Sequence, residues 1–445
     1  MEDISGASPG SGPSGAENEI DVEYGFDVKA NNVTFGLETT ADVIRALESA
    51  GHDVVVYDEV TVEPTDGSFL AAGEWVAETK AAAYVSVGGG SVMDTTKAGI
   101  VYGMYPHRDG FYGYINKPMG SGDSPSGLLA PHIAVPTTSG TGSETTGFAV
   151  CDVIERNTKT ALASKALIPV HAVVDPAFCD SLTPEIICAS GYDVLCHAME
   201  SYTARPYFMR AVDAGTTPAT HDRPLNQGAN PIADIGCIRA LELCAQYLVR
   251  AVTDADDVAA RDGMMLASTV VGTAMGNAGT ALCHGMSYPV SAFSAHGSHC
   301  PSPESGYPDA PLLPHGMSVM MHAPAAFAYQ VAADPGRHAA VTATLAQASA
   351  ALGLRHATGV SQADLCAMAA DDTLALGEVL SQELIAIMRA TGVTPPGLSA
   401  VGITMNDIPG LVERALPQKR VLNNAPFAVS AADLSVIYED SLNLW

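Results

Sequence analysis

Beyond a polar opening, the hydrophobic positions of the chain fall into two textures. Residues 1–19 (MEDISGASPGSGPSGAENE) hold almost nothing apolar and are rich in Gly, Ser, Pro and acid, the composition of a disordered tail. From Ile20 to about residue 180, helix-spaced and β-branched runs alternate. Helical periodicity over Ala41–Ala50 gives way to the apolar run Val54–Tyr57. A second helix over Ser68–Lys80 precedes the strand Ala83–Val87, which ends in glycines. A helix from Asp94 then leads to the strand His132–Val135. Alternation of this kind predicts a parallel sheet with helices on its faces.

After Pro184 the texture changes. Long apolar-periodic segments rich in Ala, Leu and Met follow one another: Ala189–Tyr202, Ile232–Val252, Val258–Met275, Val319–Ala332, Arg337–Leu352 and Ser361–Thr391. Two long irregular connections, Ala204–Asn230 and Ser294–Pro314, interrupt them, and loops of that length tend to be functional or disordered. The predicted fold class is α/β plus all-α: an α/β domain over 20–183 and a helical domain over 184–445.

Charge narrows the partners. The chain of 445 residues sets 49 Asp+Glu against 21 Lys+Arg, a net −28, and only seven of its cations are lysine. A field of that sign repels phosphate backbones and anionic lipid heads, which argues against nucleic acid and against membrane attachment. An acidic, lysine-poor surface resembles the proteins of salt-loving microbes. The nine cysteines form no C-x-x-C pair and no even framework, as in a reducing cytoplasm. The uncharged stretch Met264–Cys283 is full of Gly, Ser, Thr and Asn and reads as interior helix, not as a membrane span. The expectation is a soluble cytoplasmic protein.

Three places could carry chemistry. In Val85-Ser-Val-Gly88-Gly89-Gly90-Ser91-Val-Met-Asp94-Thr-Thr-Lys97 a strand runs into three glycines and opens a helix, where backbone N–H groups favour a phosphate. The run is neither G-x-G-x-x-G nor a Walker loop, and a tight turn without ligand fits the same residues. Pro136-Thr-Thr-Ser-Gly140-Thr141-Gly-Ser-Glu144-Thr-Thr146, again after a strand, offers hydroxyls suited to ribose and pyrophosphate. Third, Asp193 and His197 share one helix face at i, i+4, with Cys283-His284-Gly-Met-Ser-Tyr288 and Leu313-Pro314-His315 downstream. One carboxylate and three imidazoles suit Fe(II) or Zn(II), although each histidine taken singly fits an ordinary interior position.

The runs GGGSVMDTTK, PTTSGTGSETT, GYDVLCHAMESYT, CHGMSYP and LLPHG resemble, in order, the iron-containing (group III) alcohol dehydrogenases over about residues 50–445. EPTDGSF, NPIADI, GNAGTALCHGMSYP and DIPGLVERALPQKRVL look most like the branch that passes hydride from a hydroxy acid to an oxo acid. The resemblance implies a Rossmann-like domain joined to a helical metal domain, a dehydroquinate synthase-like architecture. It implies metal ligands Asp193, His197, His284 and His315, with Fe(II) favoured and Zn(II) or another divalent ion admitted. NAD(P) would lie with its pyrophosphate on Gly89, Gly90 and Ser91, aided by Asp94. Thr137, Thr138, Thr141, Thr146, Val150 and Lys159 would line the rest of its cleft. The implied reaction takes hydride from a 4-hydroxy acid such as 4-hydroxybutyrate to a 2-oxo acid such as 2-oxoglutarate through bound NAD. Partners are then small molecules, and a homo-oligomer is admitted.

Three features depart from the wider family. Tyr288 stands where many members carry a histidine that relays a proton, and it is the candidate relay here. Glu63 stands where many have Asn. Thr34-Phe35-Gly36 runs straight into the next helix, so an early strand that commonly meets the adenosine ribose is absent from the sequence. In the 204–230 connection, Arg210 and Arg223 are candidate anchors for a dicarboxylate. Rival readings are an ordinary NAD(P)-linked alcohol dehydrogenase, a metal-binding protein that has lost its cofactor, and a metal-dependent lyase of the dehydroquinate synthase type.

Overall fold

The computed structural model describes residues 37–209, 225–294 and 299–445. Helix α1 (Leu37–Ser49) opens the described chain. Helix α2 (Asp66–Thr79) starts at a reciprocal cap: Thr65 Oγ1 accepts from Ser68 N at 3.1 Å, and Ser68 Oγ accepts from Thr65 N at 2.8 Å. Strand β1 (Tyr84–Gly88) leads through Gly89 into α3 (Gly90–Met104), and β2 (His132–Pro136) and the short β5 (His171–Ala172) complete a parallel sheet in the order β1-β2-β5. Tyr84 faces His132 and Gly88 faces Pro136, so β1 and β2 stop at the same level and deliver both polar loops to one edge. All five residues of β1 are buried, the continuous apolar reading of a sheet covered on both faces.

Between β2 and β5 lies an antiparallel hairpin, β3 (Phe148–Val153) and β4 (Thr158–Ala163), which the hydrophobic pattern did not indicate. Its β4 half begins Thr158-Lys159-Thr160, polar residues that are nonetheless buried, Lys159 lining the cleft described below and Thr158 and Thr160 an adjoining cavity. A second departure is Val54–Tyr57. Instead of a strand, it belongs to no sheet ladder among the described residues, and Val55 and Val56 stay 38% and 44% exposed.

From Pro184 onward every regular element among the described residues is a helix, the principal ones being α-helices. They are α4 (Pro184–Thr203), α5 (Pro231–Thr253), α6 (Val258–Ala278), α7 (Leu282–Ser294), α8 (His315–Met320), α9 (Ala323–Gln330) and α10 (Pro335–Ala351). After these come α11 (Gln362–Asp371), α12 (Thr373–Thr391), α13 (Ile408–Ala415), α14 (Lys419–Leu422) and α15 (Ala431–Asp440). Thr183 and Asn230 cap α4 and α5 ahead of prolines at their first turns. The single helix expected over 361–391 is two, because Asp372 turns out of the helix and accepts from Ala375 N at 3.1 Å as a new cap. The segment expected over 319–332 likewise divides into α8 and α9 ahead of Pro324. Together, the sheet with its flanking helices and the all-helical remainder give the α/β plus all-α class.

The uncharged stretch Met264–Cys283 is mostly α6, and no helix among the described residues is long and apolar enough to cross a membrane. One extended core cluster, including Tyr192, Leu195, Met264, Leu282 and Phe327, joins α4 to the helices around it. Helix α4 is thus packed on most sides, which fixes the face that bears Asp193.

Candidate active site

Both polar loops and α4 line one cleft. Gly89, Gly90, Ser91, Thr137, Thr138 and Thr141 line its outer part, together with Asp193 and His315. The inner part is lined by Gly90, Ser91, Asp94, Thr141, Thr146, Val150 and Lys159 with Asp193, His197, His284 and His315. All ten residues expected to meet a dinucleotide therefore border one continuous cleft that ends at the histidines. Glycine is needed at the turn: a Cβ on Gly90 would sit 2.4 Å from Thr141 Cγ2, so the first loop packs on the second only without a side chain.

Asp94 does not reach into the cleft with free oxygens. Its Oδ1 accepts from Ser143 Oγ at 2.5 Å and its Oδ2 from Val150 N at 2.9 Å, so it ties α3 to the second loop and to β3. Lys97, one turn on, donates to Ser143 O, Ser143 Oγ and Phe148 O at 2.7, 2.6 and 2.9 Å. Burial pulls its ammonium down to about 8, against the opposing pull of Asp94 and Glu144. The sequence reading missed Lys97 as part of this scaffold, although it closes the glycine motif.

At the inner end, Asp193 Oδ1 faces three imidazoles: His284 Nε2 at 3.2 Å, His197 Nε2 at 3.4 Å and His315 Nε2 at 3.8 Å. Three elements supply them, α4 giving Asp193 and His197, α7 His284 and α8 His315. Asp193, His284 and His315 form the tightest group, with ligand atoms within 4.8 Å of one another. His197 adjoins it, its ring stacked on that of His284 at 4.7 Å. Burial pushes the Asp193 carboxyl up, but His197, His315 and His284 together hold it well below the usual carboxylate range. Burial brings His197 down to about 4 and also lowers His315, so both rings are neutral donors near pH 7. The Nδ1 atoms of His197 and His315 are buried without a hydrogen-bond partner among the described residues. Three imidazole nitrogens and one carboxylate oxygen turned toward one another in a buried pocket are a donor set that fits a divalent first-row cation.

Two further acids hold this group. Glu200, 1% exposed, accepts from His284 Nδ1 at 2.5 Å, from Ala281 N at 3.1 Å and from Cys283 N. It follows Asp193 and His197 at i+7 and i+3 on α4, a spacing that could have revealed it. Against burial, Glu200 and Asp193 raise the His284 imidazole to about 10. Glu63, held at φ 56°, accepts from Lys159 Nζ at 2.5 Å and from His315 N at 3.3 Å, and its own N–H donates to Ser91 Oγ at 3.2 Å. It thereby links the nucleotide-type loop, β4 and α8. Lys159 also donates to Asp152 Oδ2 at 2.9 Å, so its charge is spent on two carboxylates. Tyr288, 4% exposed, lies over His315 with ring centroids 6.2 Å apart and lines the inner cleft. Arg210 and Arg223 lie outside the described residues.

Comparison with known proteins agrees with this geometry. Residues 28–176 match the iron-containing alcohol dehydrogenase family, and residues 224–301 match the C-terminal part of the Fe-containing alcohol dehydrogenase family. The mouse (Mus musculus) mitochondrial hydroxyacid-oxoacid transhydrogenase is 39% identical over 463 residues, covering 98% of this chain and 93% of the relative. The Xenopus laevis protein of the same name is 42% identical over 403 residues, covering 91% and 81%. A crystal structure of an archaeal halo-thermophilic Red Sea brine pool alcohol dehydrogenase shares the fold at a TM-score of 0.73 and 24% identity, covering 95% of this chain and 92% of that one. A 1,3-propanediol oxidoreductase structure does so at 0.73 and 22%, with the same coverage. The expectation of a cytoplasmic protein is overturned, since these named relatives are mitochondrial. Free buried thiols do not distinguish one compartment from another. Motif order, cleft geometry and identity along nearly the whole length lead to one conclusion: the chain belongs to the iron-containing alcohol dehydrogenase family.

Proposed function

We propose that this protein, an oxidoreductase acting on CH–OH groups, passes hydride from a 4-hydroxy acid to a 2-oxo acid through NAD(P) that it holds, with Fe(II) as the metal. In this reading residues 20–183 hold the dinucleotide and residues 184–445 hold the metal. The observation that carries it is the convergence of Asp193, His197, His284 and His315 at the end of the cleft lined by the two glycine- and threonine-rich loops. The identity to hydroxyacid-oxoacid transhydrogenases supports the choice of reaction.

When bound, a divalent metal on these four side chains supplies Lewis acidity toward a hydroxyl or carbonyl oxygen, and the nicotinamide supplies a two-electron acceptor. The remaining work falls to the chain. Glu200 accepts the hydrogen bond of His284 Nδ1 and so turns the Nε2 edge of the ring toward the site, any proton on it being lost when metal binds. Glu63 and Lys159 brace the cofactor side against α8, which holds the His315 ring at a fixed angle. Leu182 and Ile186 give the outer cleft an apolar wall. The Tyr288 hydroxyl is the group placed to hold or release the substrate's proton. Ser91 and the backbone N–H groups at the start of α3 suit the pyrophosphate.

The test uses protein purified without oxygen, reloaded with Fe(II) and mixed with 4-hydroxybutyrate and 2-oxoglutarate, no NAD being added. Formation of 2-hydroxyglutarate, read by mass spectrometry, is the expected outcome. Turnover that appears only with added NAD(P) and a simple alcohol, releasing free NAD(P)H, would replace this reading with an ordinary alcohol dehydrogenase.

A further inference from the structure

Behind the site lies a second chamber. Tyr288 and Arg420 line the inner cleft beside the metal-type side chains, and the same two residues line an adjoining cavity of about 260 Å³. The other charged residues of that cavity are Lys117, Arg156 and Arg414, and no Asp or Glu lines it. In a chain with 49 acids and 21 Lys+Arg, four cations around one small cavity reverse the average field of the molecule. Among the described residues, none of the four has a carboxylate within ion-pair distance.

Their neighbours hold the guanidinium groups without neutralising them. The Arg420 guanidinium lies over the Phe148 ring at 5.3 Å and that of Arg156 over the Tyr112 ring at 4.8 Å, aromatic contacts that hold the cations without adding an opposing charge. Arg414 Nε donates to Gly410 O at 3.0 Å. Asp407, whose carboxylate feels Arg414, is tied instead to Thr404 N and Oγ1 at 2.9 and 2.6 Å. Like charges brought together in a partly enclosed cavity repel, and an anion entering it removes that cost.

We propose that this cavity is the carboxylate subsite. Arg420, at the junction, holds the substrate carboxylate remote from the carbon that exchanges hydride, and Lys117, Arg156 and Arg414 draw the anion in. The inference rests on the reaction proposed above and deepens it by assigning the residues that select a substrate with a terminal carboxylate, and a dicarboxylate above all, over a neutral alcohol.

The experiment titrates glutarate, an unreactive dicarboxylate, into the metal-loaded protein by calorimetry and compares Arg420→Ala, Arg420→Lys and Arg156→Ala with the parent. Arg420→Ala is expected to weaken glutarate by about tenfold or more, and Arg420→Lys to recover part of that loss. In steady-state kinetics Arg420→Ala shifts the kcat/KM ratio of 4-hydroxybutyrate to 1-butanol by a similar factor toward the neutral alcohol. Arg156→Ala, away from the Phe148 stack, weakens glutarate severalfold and keeps the test decisive should the Arg420 variants fold poorly. Parent-like glutarate binding in both alanine variants, or equal losses for charged and neutral substrates, would overturn the subsite. Glutarate binding that depends on Arg420 in a protein forming no 2-hydroxyglutarate would leave the subsite standing and remove the transhydrogenase reading alone.

Discussion

The His284 ring is held from behind: its Nδ1 donates to Glu200 at 2.5 Å while its Nε2 faces Asp193 Oδ1 at 3.2 Å. In Glu200→Gln one half of the carboxylate becomes an NH₂ group, which cannot accept from both His284 and the backbone N–H groups of α7. Metal affinity is expected to fall about 10–100-fold with the fold intact, read by competition with a chromogenic chelator. Unchanged affinity would show that Glu200 only fills space. His132 offers a separate test, far from the metal. It pairs with Ser86 Oγ at 2.8 Å, and burial, reinforced by Lys97, holds its imidazole down to about 3. The folded protein therefore binds fewer protons here than the unfolded chain, whose histidine titrates near 6.5. Stability is full above that pH and is lost as pH falls toward 3, by about 1.4 kcal/mol per unit. His132→Asn should lose less stability than the parent between pH 7.5 and 5 in denaturant titrations. Parallel losses would exclude His132 as a source of acid sensitivity.

At the scale of elements, the site depends on how closely α8 approaches α4. A Cβ on Gly316 would lie 1.9 Å from Ala189 O, a backbone atom that cannot turn aside. Gly316→Ala must therefore push α8 outward and carry His315 from Asp193. We expect a loss of about 2 kcal/mol in stability together with weaker metal retention after dialysis. A variant with parent metal content would show that the helices yield without disturbing the ligands. The elements themselves were legible to different degrees. Helix α4 was expected over Ala189–Tyr202 because its apolar spacing is regular, and the structure starts it earlier, at the Thr183 cap. Strand β4 was not, because Thr158, Lys159 and Thr160 look solvent-facing until Glu63 and Asp152 are found against Lys159. The Val54–Tyr57 run has strand composition, yet composition cannot supply a ladder partner, and its exposed valines reflect that.

Across the whole molecule, a net −28 spread over the surface repels itself. Raising KCl shortens the range of that repulsion from about 10 Å at 0.1 M to about 3 Å at 1 M. The melting temperature is expected to climb by several degrees over that interval, read by differential scanning calorimetry. A flat or falling curve would show that the charges are already compensated locally, and would also remove the basis for a salt-adapted protein.

Sequence by itself determined the fold class and the order of the two polar loops, because periodicity and glycine turns are local properties; i, i+4 spacing paired Asp193 with His197, whereas His284 and His315 joined them as ligands only through the family resemblance. Tertiary structure alone decided which groups share a cavity. Glu200 behind His284, Lys97 under the second loop, Glu63 joining β4 to α8, and Arg420 beside Arg414, Arg156 and Lys117 come from segments up to hundreds of residues apart. Their roles follow from burial and from the charge set opposite them, and neither quantity exists until the chain has folded.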